Sequence, residues 1–548
     1  MSPKHLAFDS DARGALSRGV DQVARAVRAT LGPGGRTVLL GSPYAPPTIA
    51  SAGDAIARDL ELEHPIENLG AQLLKEVSAK TRQDAGDGST TAMVLARAIV
   101  IGGLRQIAAG ARPAAFRRGV ERGVNAVCAA LGHSARRVED PSGIAQVASV
   151  AAGHDPAVGR LIAEAIDRVG RDGVVSVEAG RGLESTLSVT GGTRLDRGYL
   201  SPYFVTDAER LEVTLEPAHL LLCAQRITAL AELVPVLERV AERGAPLLIV
   251  AEAIDGDALA TLVVNALRGR LRIAAIRAPG FGETRTWALE DLAVLTGARV
   301  IDTRAGQRLE DAGLDALGRA RRVVVDKETT TVIDGAGPEV GRTAQRRALE
   351  TALAAAASDA TRQRALRERL ARFAAGVAVI RVGAPTAVAL RAQRARFDDA
   401  LAATRAALAE GVVTGGGVGL LRAAHALDDL EVTGDEATGI DTVRQALAEP
   451  LRRLAVNAGM PGAEVVERVR ALPGSMGFNA ATRRFEDLDR AGIVDPALVV
   501  RSALRNAASI AGLLLTTDAV VTEGGTASGG PDDPGEDDPD RRRGGSGA

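Results

Sequence analysis

Apolar residues recur at helical spacing through the first quarter of the chain. Between Asp11 and Leu31 an apolar side chain returns every three or four positions, which is typical of a helix with one face against a core. The same spacing predicts a helix from about Ser89 onward, and further helices at Asn68–Lys80 and Ala114–Leu131. The N-terminal region is therefore predicted to be mainly α-helical.

The pattern changes to shorter elements from about residue 134, and Gly191 and Gly192 mark a hinge. Beyond the hinge, apolar strand-like runs alternate with helical ones. The predicted strands are Leu220–Leu222, Leu247–Val250 and Arg272–Ile276, and the predicted helices are Ala231–Arg243, Asp257–Arg268 and a long one at Ala344–Ala374. This alternation favours βαβ units with a largely parallel sheet.

Composition narrows the class of protein. The 548 residues are 46% hydrophobic and 25% charged, which fits a globular protein of about three domains. A net charge of −2 argues against nucleic acid as a partner, and no uninterrupted apolar run indicates a membrane span or signal peptide. Two cysteines, Cys128 and Cys223, are too few for a disulfide framework or zinc site, so we expect a cytoplasmic protein. The tail from Gly524 is expected to be disordered.

The stretch Asp84–Thr91 carries the first candidate chemistry. Gly86 and Gly88 permit a tight turn, and the hydroxyls and N–H groups of Ser89–Thr91 would open a helix, where anions are favoured. Asp87 adds a hard oxygen ligand suited to Mg²⁺. Together these are the parts of a metal–triphosphate cradle. The alternative is a Ser/Thr-capped helix after a glycine turn, and this stretch alone favours that alternative.

Two other glycine loops have the same ambiguity. Gly32–Gly35 follows the first predicted helix, and it could either cradle phosphate or end the helix as a C-cap. Taken alone, the C-cap is the better interpretation. Val413–Val418 is a second glycine loop that opens a helix.

The order of these loops resembles the nucleotide site of bacterial GroEL-type (group I) chaperonins. The motifs that carry the resemblance are Thr30–Pro33, Asp87–Thr91, Gly415–Gly417, Phe478–Thr482 and Asp495–Pro496, and outside the nucleotide site Arg197–Phe204, Ala258–Asn265 and Ala278–Gly282. Each motif is weak alone, but their order and spacing are specific, and the resemblance extends from about Phe8 to Thr522.

The resemblance implies a multidomain fold with a mainly α equatorial domain, an α/β apical domain and a small α+β intermediate domain. The implied ranges are equatorial 1–133 and 411–523, intermediate 134–190 and 377–410, apical 191–376, and a disordered tail 524–548. The apical domain would bind clients and a co-chaperonin. It would therefore be an insertion between the two halves of the other domains.

The resemblance also implies roles for individual residues in an ATPase. The implied ATP-binding residues are Thr30, Leu31, Gly32, Pro33, Asp87, Gly88, Ser89, Thr90, Thr91, Gly416, Asn479, Ala480, Ala481 and Asp495. Among them Asp87 would hold Mg²⁺, and Asp495 would accept hydrogen bonds from the ribose. Asp399 would act as the catalytic carboxylate toward the attacking water. Adjacent carboxylates usually form a solvated helix face, and only the alignment favours Asp399 over Asp398.

The apical domain is expected to expose an apolar rim that binds unfolded chains and a GroES-type lid. The residues assigned to this rim by resemblance are Tyr199, Tyr203, Phe204, Val234, Leu237, Leu259, Val263 and Val264. Core packing would explain much of the same apolar spacing.

Several positions depart from the family pattern. The Lys-Asp pair that precedes Gly53 in the family reads Ser51-Ala52, so one acidic group near the phosphates is missing. The acidic partner expected for Arg197 reads Ala387, and the acidic residues usual at the ring–ring contact read Met460-Pro461. Nucleotide binding is still expected, but these changes put full cycling and a stable double ring in doubt.

The function implied by the resemblance is an ATP-dependent, ring-shaped chaperonin with ATP and Mg²⁺, and K⁺ as a further candidate cation. Its expected partners are unfolded proteins, a GroES-type co-chaperonin and its own copies, with seven subunits per ring and one or two rings. The alternative is a slow-turnover paralogue that holds clients or acts as a scaffold. A small-molecule ATPase or kinase is disfavoured because no separate acceptor-substrate motif is present.

Overall fold

The computed structural model describes residues 4–523 except 43–44, 51, 172, 209, 356–361, 364, 367–368, 371–372 and 374–375. The predicted disordered tail and Ser51 lie outside the described residues. The chain divides into two compact units, the first formed by residues 1–137 and 409–548 and the second by residues 138–408.

The helices are α1 (Asp9–Val27), α2 (Gly53–Asp59), α3 (Pro65–Ala85), α4 (Ser89–Ala108), α5 (Pro113–Ser134), α6 (Pro141–Ala151), α7 (Pro156–Val169), α8 (Leu230–Glu242), α9 (Gly256–Leu267), α10 (Glu283–Thr296), α11 (Glu339–Ala355), α12 (Ala387–Glu410), α13 (Val418–Ala423), α14 (Asp435–Ala446), α15 (Glu449–Asn457), α16 (Gly462–Ala471) and α17 (Ala497–Leu515). Of the predicted long helix at 344–374, α11 covers the first part, and the rest is only partly described.

The strands are β1 (Lys4–Phe8), β2 (Val38–Ser42), β3 (Ala45–Ala50), β4 (Val174–Ala179), β5 (Thr186–Thr190), β6 (Gly192–Leu195), β7 (Val213–Leu215), β8 (Ala218–Cys223), β9 (Arg226–Ile227), β10 (Leu247–Ala251), β11 (Ala253–Ile254), β12 (Ile273–Arg277), β13 (Val300–Ile301), β14 (Gly318–Val325), β15 (Thr330–Gly335), β16 (Val377–Val382), β17 (Val412–Thr414), β18 (Met476–Asn479), β19 (Arg484–Asp487), β20 (Val494–Pro496) and β21 (Ala519–Glu523).

The core of the first unit joins the two ends of the chain. Helix α17 packs against α3, α4 and α5, and α1 packs against α3. Their buried faces form one apolar cluster that includes Leu16, Ile99 and Leu514. Strands β1 and β21 pair antiparallel, with Lys4 opposite Glu523. The burial of apolar surface thus holds segments together that are about 400 residues apart in sequence.

Helices α4 and α17 are long and apolar enough to cross a membrane by length and composition. Both contribute many buried side chains to the core of the first unit, where they pack against each other. Buried helices in the core of a globular protein can be as long and as apolar as membrane-spanning ones. Packing in the core therefore explains the hydropathy of α4 and α17.

Within the described part of the second unit, an eight-stranded sheet is mixed rather than largely parallel. Strands β8, β10, β12 and β13 are parallel, as expected for βαβ units. The prediction was wrong for the other half, because β14 pairs antiparallel with β7, β8 and β15, and β15 pairs antiparallel with β6. Only four residues connect β14 to β15, and so short a connection allows only antiparallel pairing.

A separate sheet, three-stranded within the described residues, lies in the same unit, with the order β4-β16-β5. Val174 on β4 is the parallel partner of Val377 on β16, so residues about 200 positions apart meet in one sheet. Helices α6 and α7 pack together, and α7 also packs against this sheet. Its strands come from the two ranges predicted as the intermediate domain.

The first unit ends at residue 137 and resumes at 409, within four residues of the predicted equatorial boundaries at 133 and 411. The division into units does not separate residues 191–376 from the flanking ranges. The boundary between the apical and intermediate domains therefore stays a prediction.

Candidate functional site

The turn between α3 and α4 leaves the start of α4 open. Gly86 and Gly88 have φ values of 74° and 85°, a conformation that disfavours residues with a side chain. The N–H of Gly88 donates to Oδ1 of Asp87 over 2.5 Å. Because Gly88 is the N-cap residue, no side chain caps α4. Its first N–H groups are therefore suited to an anion.

The hydroxyl groups that follow this turn have different surroundings. The buried Ser89 donates its hydroxyl to the carbonyl oxygen of Ser78 over 3.2 Å. This bond ties α4 to α3, so Ser89 can offer a ligand its backbone N–H. A Cβ added at Gly53 would lie 2.2 Å from Oγ1 of Thr90, so Thr90 faces the start of α2.

The loop after α1 is held by a side chain from the C-terminal half of the chain. A 3₁₀ turn at Arg28–Thr30 leads into Gly32, whose φ is 77°. Nδ2 of Asn457 donates to the carbonyl oxygens of Arg28 and Leu31, both over 2.9 Å. The predicted phosphate loop is therefore fixed to α15.

Glycines show how closely these segments approach one another. A Cβ at Gly53 would also lie 2.6 Å from Cγ1 of Val27 at the end of α1. A Cβ at Gly88 would lie 2.6 Å from Cγ1 of Val499 in the first turn of α17. The starts of α2, α4 and α17 and the end of α1 thus converge around the turn at Asp87.

The second glycine loop lies against the β18–β19 hairpin. Gly416 has a φ of 63°, and a Cβ there would lie 3.3 Å from Cδ1 of Leu488 and 3.7 Å from the carbonyl oxygen of Phe478. The N–H of Gly415 donates to the carbonyl oxygen of Ile493 over 3.0 Å. The glycine loop, the β18–β19 hairpin and β20 therefore pack together and form one side of the candidate site.

The side chain of Asn479 shapes the hairpin loop. Its Nδ2 donates to Oε1 of Glu486 over 2.6 Å, and its Oδ1 accepts from the N–H of Ala481 over 2.9 Å. Asn479 is buried, and both polar atoms of its side chain are already hydrogen-bonded within the protein. Its contribution to a nucleotide site would therefore be to fix the backbone of Ala480 and Ala481.

Asp495 connects the two halves of the site. It lies on β20, opposite Val413 of β17. Burial, together with the nearby negative charge of Asp87, raises the pKa of the Asp495 carboxyl to about 7. Burial is also the main cause that raises the pKa of Asp87. Two carboxyl groups from distant parts of the chain thus lie close enough to interact electrostatically, and a cation bound beside them would relieve their repulsion.

Two charged residues beside Asp87 were missed at the sequence level. Asp54 is buried in the first turn of α2, and it accepts from Arg82 over 2.5 Å and from Arg58 over 3.1 Å. Arg82 acts electrostatically to lower the pKa of Asp87, and Asp54 acts to raise it. The sequence did offer one signal for Asp54: it lies only two positions after Ala52, where the family has an acidic residue.

The donor set around Asp87 fits Mg²⁺ bound together with phosphate. Among the described residues, no three His, Cys, Asp or Glu side chains gather to hold a metal by themselves. Mg²⁺ prefers octahedral oxygen coordination and usually keeps waters or substrate oxygens among its ligands. One or two carboxylates beside an open helix N-terminus meet that preference.

The adjacent carboxylates Asp398 and Asp399 lie on α12 in the second unit. Asp398 forms an ion pair with Arg210. Both Asp398 and Asp399 are half-buried. The ion pair gives Asp398 a structural role, and the role of Asp399 stays a prediction.

The exposed rim predicted on the second unit includes two residues that are buried instead. Leu237 is 7% exposed and Phe204 is 2% exposed. Leu233, Leu237 and Val240 fall on one face of α8 and pack into the core over the sheet, so Leu237 belongs to the core stripe. Phe204 lies in a short 3₁₀ turn that packs against α9. The prediction of exposure was wrong for both residues.

The other rim residues reach the surface to different degrees. Tyr203, Val234 and Val264 are exposed, and Tyr199, Leu259 and Val263 are half-buried at the edge of the core. Leu267, at the end of α9, is 61% exposed and was not predicted. A set of apolar side chains therefore remains on the surface of α8, α9 and the segment before them.

Comparison with known proteins identifies the family. Residues 23–524 match the TCP-1/cpn60 chaperonin family. The chain belongs to this family. It is also similar in structure to the chaperonin gp146 from the bacteriophage EL 2 (Pseudomonas aeruginosa), solved in the presence of ATP-BeFx, with a TM-score of 0.67 and 21% identity. That match covers 94% of this chain and 98% of the phage chain.

The prediction of a multidomain chaperonin fold is thus confirmed, and membership of the family makes this protein a chaperone. At 21% identity the phage structure supports the fold alone. The GroEL-type (group I) assignment stays a prediction.

The burial of Asp495, reinforced by the negative charge of Asp87, predicts a pH-dependent stability of the chaperonin without ligands. The raised pKa keeps Asp495 protonated in the fold below about pH 7, whereas it ionises near pH 4 when unfolded. Its ionisation therefore lowers the free energy of unfolding as pH rises through this window. We expect Asp495→Asn to stabilise the protein by about 1–2 kcal/mol at pH 8, allowing for partial solvent access, and by less at pH 5.

Urea unfolding at both pH values, without metal or nucleotide, measures this effect. Asp441→Asn is the control, because Asp441 is an exposed carboxylate on α14. An Asp495→Asn variant with the same gain at pH 5 and pH 8 would contradict the electrostatic account.

The burial of Leu237 predicts different outcomes for two rim substitutions. Leu237→Ser should destabilise the chain by about 2–5 kcal/mol, because it removes core contacts and buries a hydroxyl group. Val264→Ser should change stability by less than about 0.5 kcal/mol, since Val264 is 42% exposed. Thermal melts measure both values, and equal losses of stability would show that Val264 is also a core residue.

Proposed function

We propose that this protein is an ATP-dependent, GroEL-type chaperonin. In this proposal seven subunits form a ring, in one or two layers, that captures unfolded proteins and encloses them beneath a GroES-type lid. ATP is the substrate, Mg²⁺ is the cofactor, and K⁺ is a further candidate cation. Membership of the chaperonin family supports the chaperone part of this proposal.

The observation that carries the ATPase proposal is the electrostatic interaction of Asp87 with Asp495, two carboxyl groups from distant parts of the chain. The open start of α4, the loop at Thr30–Pro33 and the loop at Gly416 all belong to the same unit as these two residues. Backbone N–H groups at a helix start favour phosphate, and the two carboxylates favour a cation beside it. The phage chaperonin that shares the fold was solved in the presence of ATP-BeFx, which supports the same ligand class here.

Each group in the site would have a separate task. Asp87 would hold Mg²⁺, which neutralises charge on the phosphates when it is bound. The N–H groups of Gly88–Thr91 would position the phosphates, and Asp495 would accept hydrogen bonds from the ribose. Asp399 would accept a proton from the water that attacks the terminal phosphorus atom, while the bond to the ADP oxygen breaks. Asp399 lies in the other unit, so its role depends on the resemblance alone.

The apolar side chains on the second unit would bind clients. Tyr203, Val234, Val264 and Leu267 expose apolar surface, and such surface binds unfolded chains without reading their sequence. A lid that uses the same residues would displace the client into the ring cavity. The half-buried Leu259 and Val263 would form the edge of this surface.

A slow-turnover, client-holding chaperonin is the second candidate function. The family acid before Gly53 is Ala52 here, and the nearby Asp54 is committed to Arg82 and Arg58. A paired, buried carboxylate is not free to orient water or a cation. The site would then bind ATP and hydrolyse it slowly.

The adjacent carboxylates on α12 allow a matched test of the catalytic residue. Asp399→Asn should lower the single-turnover rate of ATP hydrolysis about 100-fold, because no other base is assigned to the site. Asp398→Asn should change that rate much less, since Asp398 pairs with Arg210. Rapid-quench hydrolysis with excess protein measures both rates. Normal hydrolysis by Asp399→Asn would show that the catalytic assignment is wrong.

Restoring the missing acid tests the slow-turnover alternative. Ala52→Asp should raise the single-turnover rate about 3–30-fold, a change of roughly 0.7–2 kcal/mol in the barrier, with little change in ATP affinity. Gln83→Glu, which adds the same charge at an exposed position on α3, is the control for added charge. An unchanged rate in Ala52→Asp would mean that this position does not limit turnover.

The whole proposal is tested by client refolding on particles sized beforehand. Rings should refold a denatured client with ATP and a GroES-type lid, and Val264→Ser should reduce capture while ATP binding is kept. Capture without ATP-driven release would favour the holding function. Monomers at micromolar concentration with ATP would count against both ring-based functions.

A further inference from the structure

A basic pocket of about 350 Å³ lies in the first unit, behind the predicted phosphate loop. Its lining residues come from α1, the turn and loop after it, and α15: Arg25, Arg28, Ala29, Arg36, Arg453, Val456 and Asn457. The volume is within the usual range for small-molecule sites. The lining has four arginines and no acidic residue.

The positive charge of this pocket is largely uncompensated. Within the described part of the chain, the side chains of Arg25, Arg28 and Arg36 form no ion pair or hydrogen bond, whereas Arg453 pairs with Glu449 over 2.8 Å. Burial, followed by the charge of Arg453, lowers the pKa of Arg28. Asp21, whose negative charge acts on Arg28, is already bound to Arg97. The guanidinium groups therefore repel one another, and an anion would relieve that repulsion.

Helix capping explains only part of this cluster. Arg25 lies in the last turn of α1 and Arg28 follows it, where positive charge is favourable against the helix dipole. Arg36 comes from the following loop, and Arg453 comes from α15, more than 400 residues later in the chain. Neither lies in the last turn of α1, so their convergence needs another cause.

One pocket residue also holds the phosphate loop. Nδ2 of Asn457 donates to the carbonyl oxygens of Arg28 and Leu31, so the pocket wall and the loop at Thr30–Pro33 are parts of one hydrogen-bonded structure. A ligand in the pocket would stiffen the loop from behind.

We propose that this arginine pocket is a second anion site, which binds a ligand carrying several closely spaced oxyanion groups. Guanidinium groups bind phosphate and carboxylate oxygens with paired, charge-assisted hydrogen bonds. Such oxygens can come from a free polyphosphate or from the acidic segment 532–540 of the chain itself, which precedes Arg541–Arg543 and whose carboxylates are Asp532, Asp533, Glu536, Asp537, Asp538 and Asp540. The inference does not depend on ATP hydrolysis.

The test is calorimetric titration of the full-length protein with tripolyphosphate at low ionic strength. The pocket variant is Arg28→Gln with Arg36→Gln. The matched control is Arg105→Gln with Arg160→Gln, which removes the same charge from two exposed side chains. Gly88→Ala serves as the variant of the nucleotide loop, since its Cβ would clash with Val499.

We expect wild type and control to bind tripolyphosphate alike, and the pocket variant to lose at least tenfold in the affinity of one class of site. Gly88→Ala should keep that class, which separates this inference from the nucleotide site. In the absence of added anion, the melting temperature of the pocket variant should be no lower than that of wild type, because the loss of two positive charges relieves the repulsion among the arginines. A pocket variant that binds like the control would overturn the proposal.

A full-length variant with the six tail acids replaced by amides identifies the source of the anion. If the acidic segment occupies the pocket, this variant should bind tripolyphosphate more tightly, and the gain should disappear when Arg28→Gln and Arg36→Gln are added, whereas a gain that persists there would reflect the change in net charge alone. Unchanged binding would show that the pocket takes a free anion. Either result supports the site only if the pocket variant has lost binding.

Discussion

The packing of α17 against α3 and α4 is the constraint on which the first unit depends. These helices come from opposite ends of the chain, and their apolar faces are buried only when the two ends meet. That packing places Val499 against the turn at Gly88, and β20, which leads into α17, brings Asp495 close enough to Asp87 for their charges to interact. The proposed nucleotide site would therefore be a product of core burial between distant segments, rather than of any single loop.

The charged groups around Asp87 make the protein less stable when no ligand is bound. Asp87, Asp495 and the nearby Asp54 concentrate negative charge, which Arg82 and Arg58 offset only in part. Beside the predicted phosphate loop, the arginine pocket concentrates positive charge. Both groupings raise the free energy of the protein without ligands, and both are relieved by an ion of the opposite sign. Stability and ligand binding are thus linked through the same residues.

Much of the secondary structure and the order of the glycine loops could be predicted from the sequence, because helical spacing and glycine turns are local signals. The starts of α4, α8 and α9 were predicted within one residue. The antiparallel half of the large sheet could not be predicted, because the pairing between β14 and its neighbours is set by distant contacts. The exposure of Leu237 was predicted wrongly because one apolar spacing fits both a core face and a binding face. The pairing of Asp54 with Arg82 depends on the tertiary packing of α2 against α3, which no local pattern shows.

In the proposed site, segments from both halves of the chain form one nucleotide pocket. Hydrogen exchange of the backbone amides, measured with increasing ATP and Mg²⁺, can show whether these segments respond as one. If one pocket binds the nucleotide, amides near Gly32, Gly88, Gly416 and Asp495 should gain protection together, with one concentration midpoint. Protection confined to one half of the chain, or with separate midpoints for the two halves, would contradict it.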